Sequence, residues 1–305
     1  MTRTIVECVP NFSEGRDAEK VACIVEAIAS VPGAAILGQT SDYDHNRTVV
    51  TFAGEPEPVA RAAFRGIERA VELIDMNRHE GVHPHIGAAD VVPFVPISGV
   101  TLEACARLAE QLGSEVWRRL RVPVYLYEAA AKRPDRVNLA NIRRGGFRKL
   151  REEVRVNPER RPDFGEAELH PTAGACVIGA RKFLIAFNVN LATPDIEAAR
   201  RIARKIRFSS GGLPSVKALG LFLGSRNQAQ VSINLTDFER TSLPVVFAAA
   251  RAEAERLGVR IADTEIVGLI PRKALDMAAG CDLQLRNFHA DLILENRLEK
   301  MKLTA

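Results

Sequence analysis

Three of the six histidines of this chain, His79, His83 and His85, lie within seven residues of one another. Imidazole can serve as a metal ligand or as a general base near neutral pH, and both chemistries suit such a cluster. Histidines four positions apart share a metal when they lie on one face of a helix. Gly81 and Pro84 argue against a continuous helix here. A metal-free general base is therefore one interpretation, and a site formed by all three histidines is another.

The histidine loop, residues 78–88, precedes an apolar run at residues 91–97 that predicts a buried strand. An irregular polar loop beside a buried strand is typical of loops that a rigid scaffold displays. Catalytic and binding residues concentrate in such loops. The elements around the loop must therefore be rigid enough to position it.

The order strand, helix, strand, strand, helix, strand is predicted twice along the chain by hydrophobic periodicity and turn residues. In the first half, helices are predicted at residues 17–31 and 56–74, and in the second half at residues 193–206 and 244–257. This order indicates an α+β fold with two ferredoxin-like α/β subdomains, residues 1–182 and 183–305. Such sheets carry helices on one face only, so packing them with their sheets facing each other would leave a slot between.

Amino-acid composition limits the classes of function that the chain can have. Apolar residues make up 47% of the 305 residues, which is enough for sizeable cores, and the net charge of +4 does not indicate nucleic acid. Five scattered cysteines without a C-x-x-C pair predict a reduced, cytoplasmic chain. No apolar stretch is long enough to predict a membrane span. Residues 132–163 are rich in arginine and predict a solvated helical connector, or a basic edge that attracts an anionic substrate.

The residues around the histidines resemble a known family. Residues 81–91, GVHPHIGAADV, are similar to the G-x-H-P-R-x-G-A-x-D-V stretch of glutamate formimidoyltransferases, the transferase part of formimidoyltransferase-cyclodeaminases. The resemblance covers nearly the whole chain and thins after about residue 276. Further matching segments are VECVPNFSEG at 6–15, NRTV at 46–49, LIDM at 73–76, VPVYLY at 122–127, PDFG at 162–165, GARKFLIAFN at 179–188, AQVS at 229–232 and VGLIP at 267–271.

The resemblance implies a folate-dependent enzyme of histidine degradation and one-carbon metabolism. It would move a formimino group between N-formimino-L-glutamate and tetrahydrofolate, which is a co-substrate, without a metal. The resemblance also implies a homodimer and a ligand tunnel between the facing sheets. His83 occupies the position of the catalytic histidine. The stretch that would hold folate comprises Gly165, Glu166, Ala167, Glu168, Leu169, His170, Pro171, Thr172, Ala173 and Gly174.

Further polar residues in the matching segments are candidates for binding substrates. Arginine binds carboxylates in bidentate fashion and lysine binds them as a point charge. Asparagines at predicted strand ends could read a pterin ring, although turn chemistry would also explain them. Asp90 could orient the loop or a substrate ring. The candidates are Asn11, Asn46, Arg47, Arg78, His85, Asp90, Arg181, Lys182, Asn188 and Asn190.

The sequence departs from the family pattern in two ways, and alternative functions therefore stay open. Val82 and His85 stand where the family usually has Glu and Arg. The second departure is length: we expect 305 residues to leave no room for a cyclodeaminase domain, so that ammonia release from the product needs a separate cyclodeaminase. One alternative is formyl transfer between 5-formyltetrahydrofolate and glutamate. Another is a metal-dependent amidohydrolase that uses His79, His83 and His85. A third is a folate-binding module without catalysis.

His85 generates a prediction about pH, because it puts a titratable group in place of a fixed cation. If the His85 cation binds a substrate carboxylate, affinity for that substrate should weaken as the imidazole loses its proton above neutral pH. Measuring substrate affinity from about pH 6 to about pH 8 tests this role. A flat profile across that range would contradict it.

Overall fold

The computed structural model describes residues 3–82, 84–286 and 288–303, and the chain forms two compact units. The first unit covers the chain up to Arg181, and the second covers Lys182–Lys302. Each unit has its own β-sheet and its own hydrophobic core. The predicted α+β fold with two subdomains is confirmed. The facing of the two sheets and the tunnel between them stay predictions.

The first unit contains seven strands and five α-helices within its described residues. They are β1 (Ile5–Cys8), β2 (Asn11–Phe12), α1 (Ala18–Ala29), β3 (Ala34–Asp42), β4 (Arg47–Gly54), α2 (Pro56–Leu73), β5 (Ala89–Ser98), α3 (Leu102–Leu120), β6 (Val124–Glu128), α4 (Leu139–Ile142), α5 (Gly146–Val156) and β7 (Cys176–Ala180).

The first sheet has a ferredoxin-like part and an extension. β3 pairs with β4, and both β1 and β2 pair with β4 on one side and β5 on the other. These pairings are antiparallel, and they give the order β3, β4, β1 with β2, and β5. β7 then pairs with β5 and β6 pairs with β7, both in parallel. The predicted order of elements is confirmed for the first part, and the parallel strands lengthen the sheet beyond it.

The second unit repeats the ferredoxin-like arrangement. Its four strands pair antiparallel in the order β11, β8, β10, β9, which matches the order β5, β1, β4, β3 of the first unit. Two short helices follow the last strand. The elements are β8 (Ile185–Leu191), α6 (Ile196–Ile206), β9 (Val216–Leu223), β10 (Gln228–Leu235), α7 (Leu243–Arg256), β11 (Ile261–Val267), α8 (Arg272–Asp276) and α9 (Leu294–Lys300).

Alternation along the strands puts helices on one face of each sheet. In the first unit, Val6 and Cys8 belong to the core with the helices, whereas Glu7 between them points to the opposite face. In the second unit, Phe187 of β8 contacts Phe247 of α7, with ring centroids 6.3 Å apart. No helix in the described ranges is both long and apolar enough to span a membrane.

One local prediction was wrong, and another holds only in part. The helix predicted from residue 193 begins later: α6 begins at Ile196, and the Asp195 carboxylate caps it by accepting the Glu197 N–H at 2.9 Å. The connector is helical, as predicted, but several of its arginines are not solvated. Arg136 is buried and pairs with Asp163 at 2.5 Å. The Arg160 guanidinium is also buried and donates to backbone carbonyls.

Candidate functional site

The histidine loop runs between the end of α2 and the start of β5. His83, the predicted base, lies outside the described residues, so its place in the loop stays a prediction, as does the three-histidine metal site. Within the described ranges, no group of three or more His, Cys, Asp or Glu side chains could hold a metal ion. Val82 and Pro84, the chain neighbours of His83, are exposed to solvent.

Asn46 anchors the beginning of the histidine loop. It is buried between β3 and β4 in the left-handed conformation, with φ of 47°, which asparagine adopts more readily than most residues. Its Oδ1 accepts the Gly15 N–H at 2.9 Å, and its Nδ2 donates to the Glu80 carbonyl at 3.0 Å. Nδ2 also lies 3.3 Å from Nδ1 of His79. One amide therefore links the loop before α1 to the histidine loop.

His79 is held as a neutral imidazole. Burial, and then the nearby His85, lowers its pKa to about 4. The two rings meet edge to face, with centroids 4.2 Å apart. Since Asn46 Nδ2 can only donate, Nδ1 of His79 accepts, and the ring proton resides on Nε2. At neutral pH, His79 is thus a weak proton acceptor.

Asp90 anchors the end of the histidine loop. Its carboxylate is 1% exposed and lies at the start of β5. Oδ1 accepts the backbone N–H of Ile86 at 2.8 Å, and Oδ2 forms an ion pair with the guanidinium of Arg143, which follows α4. Of the two roles predicted for Asp90, the structure contains the contact that orients the loop.

The histidine loop also lies against residues 165–174, the second segment predicted to be functional. Backbone N–H groups of Met76, Ala88 and Ala175 donate to Thr172, Ala173 and Ile86 carbonyls at 2.8, 2.9 and 3.0 Å. The approach is so close that a Cβ on Gly87 would lie 1.8 Å from the Ala175 carbonyl oxygen. Two segments about 80 residues apart in sequence are therefore held side by side by backbone hydrogen bonds.

Within residues 165–174, the polar side chains make local contacts. The Nδ1 atom of His170 accepts the Ala173 N–H at 3.0 Å, and burial lowers the His170 pKa. Glu166 pairs with Arg121 at 3.6 Å, and Glu168 pairs with Arg155, in both cases at the surface. Leu169 and Ala173 are buried. A ligand role of this segment stays a prediction.

Arg47 belongs to the same polar group as Asp90 and Arg143. Burial, and then the positive charge of Arg143, lowers the Arg47 pKa to about 10, while Asp90 and Asp42 act in the opposite direction. Arg47 therefore remains protonated at neutral pH. Arg78, in contrast, is 89% exposed and has Asp75 3.7 Å away, so it extends into solvent at the loop surface.

The remaining candidates lie elsewhere. Asn11 Nδ2 donates to the Val9 carbonyl at 2.9 Å, which is turn chemistry. Lys182 pairs with Asp237 at 2.7 Å in the second unit. Asn188 and Asn190 were expected at a strand end, but both lie inside β8. Their side chains bond to Glu265 and Asp263 of β11 at 3.1 and 2.6 Å.

Three further residues complete these polar groups and were not among the sequence candidates: Gln230 and Glu7 are buried, and Arg143 is largely so. Arg143 is one of many arginines in the connector, so no local signal marked it. Gln230 donates to Asn190 and Glu265 at 2.9 and 3.1 Å. Glu7 did have a signal, because it is the one charged residue in the strand Ile5–Cys8. Burial raises the pKa of its carboxyl to about 7, and the charge of Arg181 opposes this shift.

Comparisons with known proteins cover both units. The model of the formiminotransferase domain, N-terminal subdomain, matches residues 5–181, and the model of the formiminotransferase domain matches residues 186–302. A glutamate formimidoyltransferase of Thermoplasma acidophilum is 47% identical over 298 residues, which cover 97% of this chain and 98% of the relative. One of Streptococcus pyogenes serotype M1 is 43% identical, with 96% and 98% covered. The formimidoyltransferase-cyclodeaminase of Mus musculus is 44% identical, with 96% of this chain but 56% of the relative covered.

Two substitutions of Asn46 separate its side-chain bonds from its backbone conformation. Asn46→Gly removes the bonds to Gly15 and Glu80 and should lower the free energy of unfolding by about 1–3 kcal/mol. Asn46→Ala should lose about 1–2 kcal/mol more, because a Cβ disfavours the left-handed conformation. Urea denaturation of both variants measures the difference. An alanine variant as stable as the glycine variant would contradict this role.

Glu7 should make stability depend on pH. Its folded pKa of about 7 lies above the ordinary value of 4.5, so the folded state holds the proton more tightly. Protonation of Glu7 therefore adds to the free energy of unfolding. This stabilisation is complete below about pH 4.5 and is lost as the pH rises through about 7. Between about pH 5 and about pH 8, wild type should lose ~2–3 kcal/mol more stability than Glu7→Gln. Urea denaturation at both values checks this, with the exposed Glu26→Gln as the control. Parallel curves for wild type and Glu7→Gln would count against it.

Proposed function

The chain belongs to the formiminotransferase family, and we propose that it is a glutamate formimidoyltransferase. It moves the formimino group between N-formimino-L-glutamate and N5 of tetrahydrofolate. The observation that carries this proposal is the similarity along nearly the whole chain to relatives that bear this name. The contact between the histidine loop and residues 165–174 supports it, because it brings the two predicted functional segments together.

The reaction needs one proton acceptor and one proton donor. N5 attacks the amidine carbon of formiminoglutamate, and its proton must leave as the new C–N bond forms. The bond from that carbon to the glutamate nitrogen then breaks, and this nitrogen gains a proton. A single imidazole can accept the first proton and return it to the leaving nitrogen. We assign this role to His83, which occupies the family's histidine position.

Three described residues of or near the histidine loop, Asn46, His79 and Asp90, support that assignment. With a pKa of about 4, His79 is a poor base at neutral pH. Asn46 holds the loop before His83 and Asp90 holds it afterwards. A loop held at both ends suits the alignment of two substrates with a base, which accounts for much of the rate gain in such transfers.

Several finer assignments belong to the same proposal. Residues 165–174 contact the folate. The enzyme acts in histidine degradation in the cytoplasm, as a homodimer and without a metal. A separate cyclodeaminase releases ammonia from its product. This last point is supported by the Thermoplasma acidophilum and Streptococcus pyogenes relatives, which are named for the transferase alone.

A turnover assay tests the proposal. Purified protein is supplied with N-formiminoglutamate and tetrahydrofolate, and the formimino product and glutamate are followed by mass spectrometry. Wild type should form both. His83→Ala should lose on the order of a hundredfold or more in kcat, as expected for removal of a general base.

The control is His289→Ala, which removes an exposed histidine of the second unit and should retain wild-type turnover. Absence of product from wild type would overturn the proposed reaction, and transfer from 5-formyltetrahydrofolate to glutamate would replace it. Unchanged turnover in His83→Ala would overturn the role of His83 alone.

A further inference from the structure

We propose that Arg143, with Arg47 beside it, binds a carboxylate of a glutamyl group next to the histidine loop. This inference rests on the proposed function, because the substrates of that reaction supply the group. Formiminoglutamate carries it as the amino acid, and tetrahydrofolate carries it in its tail. Arg143 would thus be a specificity-determining residue contributed by the arginine-rich connector.

The Arg143 guanidinium is held by an ion pair and has further N–H groups that can donate hydrogen bonds. Its side chain is 11% exposed, and it pairs through Nη2 with the buried Asp90 carboxylate. Arginine has five N–H donors in a fixed fork, and among the described residues Asp90 is the one hydrogen-bonding partner of the Arg143 side chain, which leaves most of these donors available. Its Nε–H is buried and has no hydrogen-bond acceptor among the residues that the structure describes. A buried donor without an acceptor is costly, and a carboxylate oxygen would satisfy it.

Arg47 adds a second positive charge that interacts electrostatically with Arg143 and Asp90. The charge of Arg143 disfavours protonation of Arg47, which means that the two guanidinium groups are near enough to repel each other. Asp90 offsets part of this repulsion but already accepts the Ile86 N–H and pairs with Arg143. An incoming carboxylate would reduce the repulsion further, and arginine pairs suit the planar geometry of this anion.

The connector brings Arg143 against the histidine loop. Arg143 ends α4, and three residues later a Cβ on Gly146 would be 3.6 Å from the His85 carbonyl oxygen. A carboxylate bound by Arg143 would therefore lie beside the loop that carries His83. Such an anchor is what an amino-acid substrate needs so that its amidine carbon reaches the base.

Steady-state kinetics of Arg143→Gln test the subsite, with each substrate varied in turn. The control is Arg144→Gln, which removes the same charge from the next residue, an exposed one. Loss of a charge-assisted bond should raise the KM for formiminoglutamate about 10- to 100-fold, whereas the control should stay within about twofold of wild type. A rise in the KM for tetrahydrofolate instead would assign the subsite to the folate tail. No change in either KM would overturn the inference.

A second pair of variants excludes a purely positioning role through Asp90. Asp90→Asn keeps an oxygen for Ile86 and leaves the Arg143 charge in place, so it should lower kcat without raising KM. An equal loss of kcat in Asp90→Asn and Arg143→Gln, with unchanged KM values, would mean that Arg143 acts only through Asp90 and binds no carboxylate. Arg143→Lys, which keeps the charge and should fold if the glutamine variant does not, should restore part of the KM effect.

Calorimetric titration with L-glutamate separates this inference from the proposed function. It needs no turnover, so it judges the subsite even if wild type does not use formiminoglutamate. Wild type and Arg144→Gln should bind glutamate, and Arg143→Gln should bind it at least about tenfold more weakly. If Arg143→Gln and wild type bind equally and both turn over formiminoglutamate, the proposed function stands and the subsite is refuted.

Discussion

The buried carboxylate of Asp90 is the constraint on which the candidate site depends. A carboxylate that is 1% exposed is stable only when its oxygens are paired, and the two partners that the described residues supply come from different parts of the chain. One is the backbone of the histidine loop and the other is Arg143 of the connector. Removing either member of such a pair leaves an uncompensated charge, which typically costs about 3–5 kcal/mol. The buried ion pair between Asp90 and Arg143 therefore holds the histidine loop and the connector together.

The histidine loop combines fixed ends with an exposed middle. Asn46 fixes its beginning, and Asp90 together with residues 173–175 fixes its end. Between them, Val82 and Pro84 are exposed. This is the arrangement expected when one side chain must be presented to a substrate while the backbone around it stays in place.

In both units, the two faces of the sheet differ in polarity. In each unit, the face that carries the helices is apolar, as at Phe187 and Phe247. The opposite face can therefore hold polar groups, such as Glu7 in the first unit and Asn190 with Gln230 in the second. Alternation along a strand permits this division without disturbing either core. The connector, with its buried arginines, extends the polar groups of the first unit.

The sequence by itself determined the order of elements and the family. Period-two and period-3.6 patterns report which face of a strand or helix is buried, so α2, β5 and both ferredoxin-like repeats were predictable from local residues. Only the tertiary structure decided which polar residues meet. Asp90 and Arg143 are 53 positions apart, and Asn46 and His79 are 33 apart. Nothing in the composition of the connector distinguishes Arg143 from its exposed neighbour Arg144. Such pairs depend on which strands become neighbours in the sheet and on which distant segments pack against them. Local hydrophobic periodicity specifies neither.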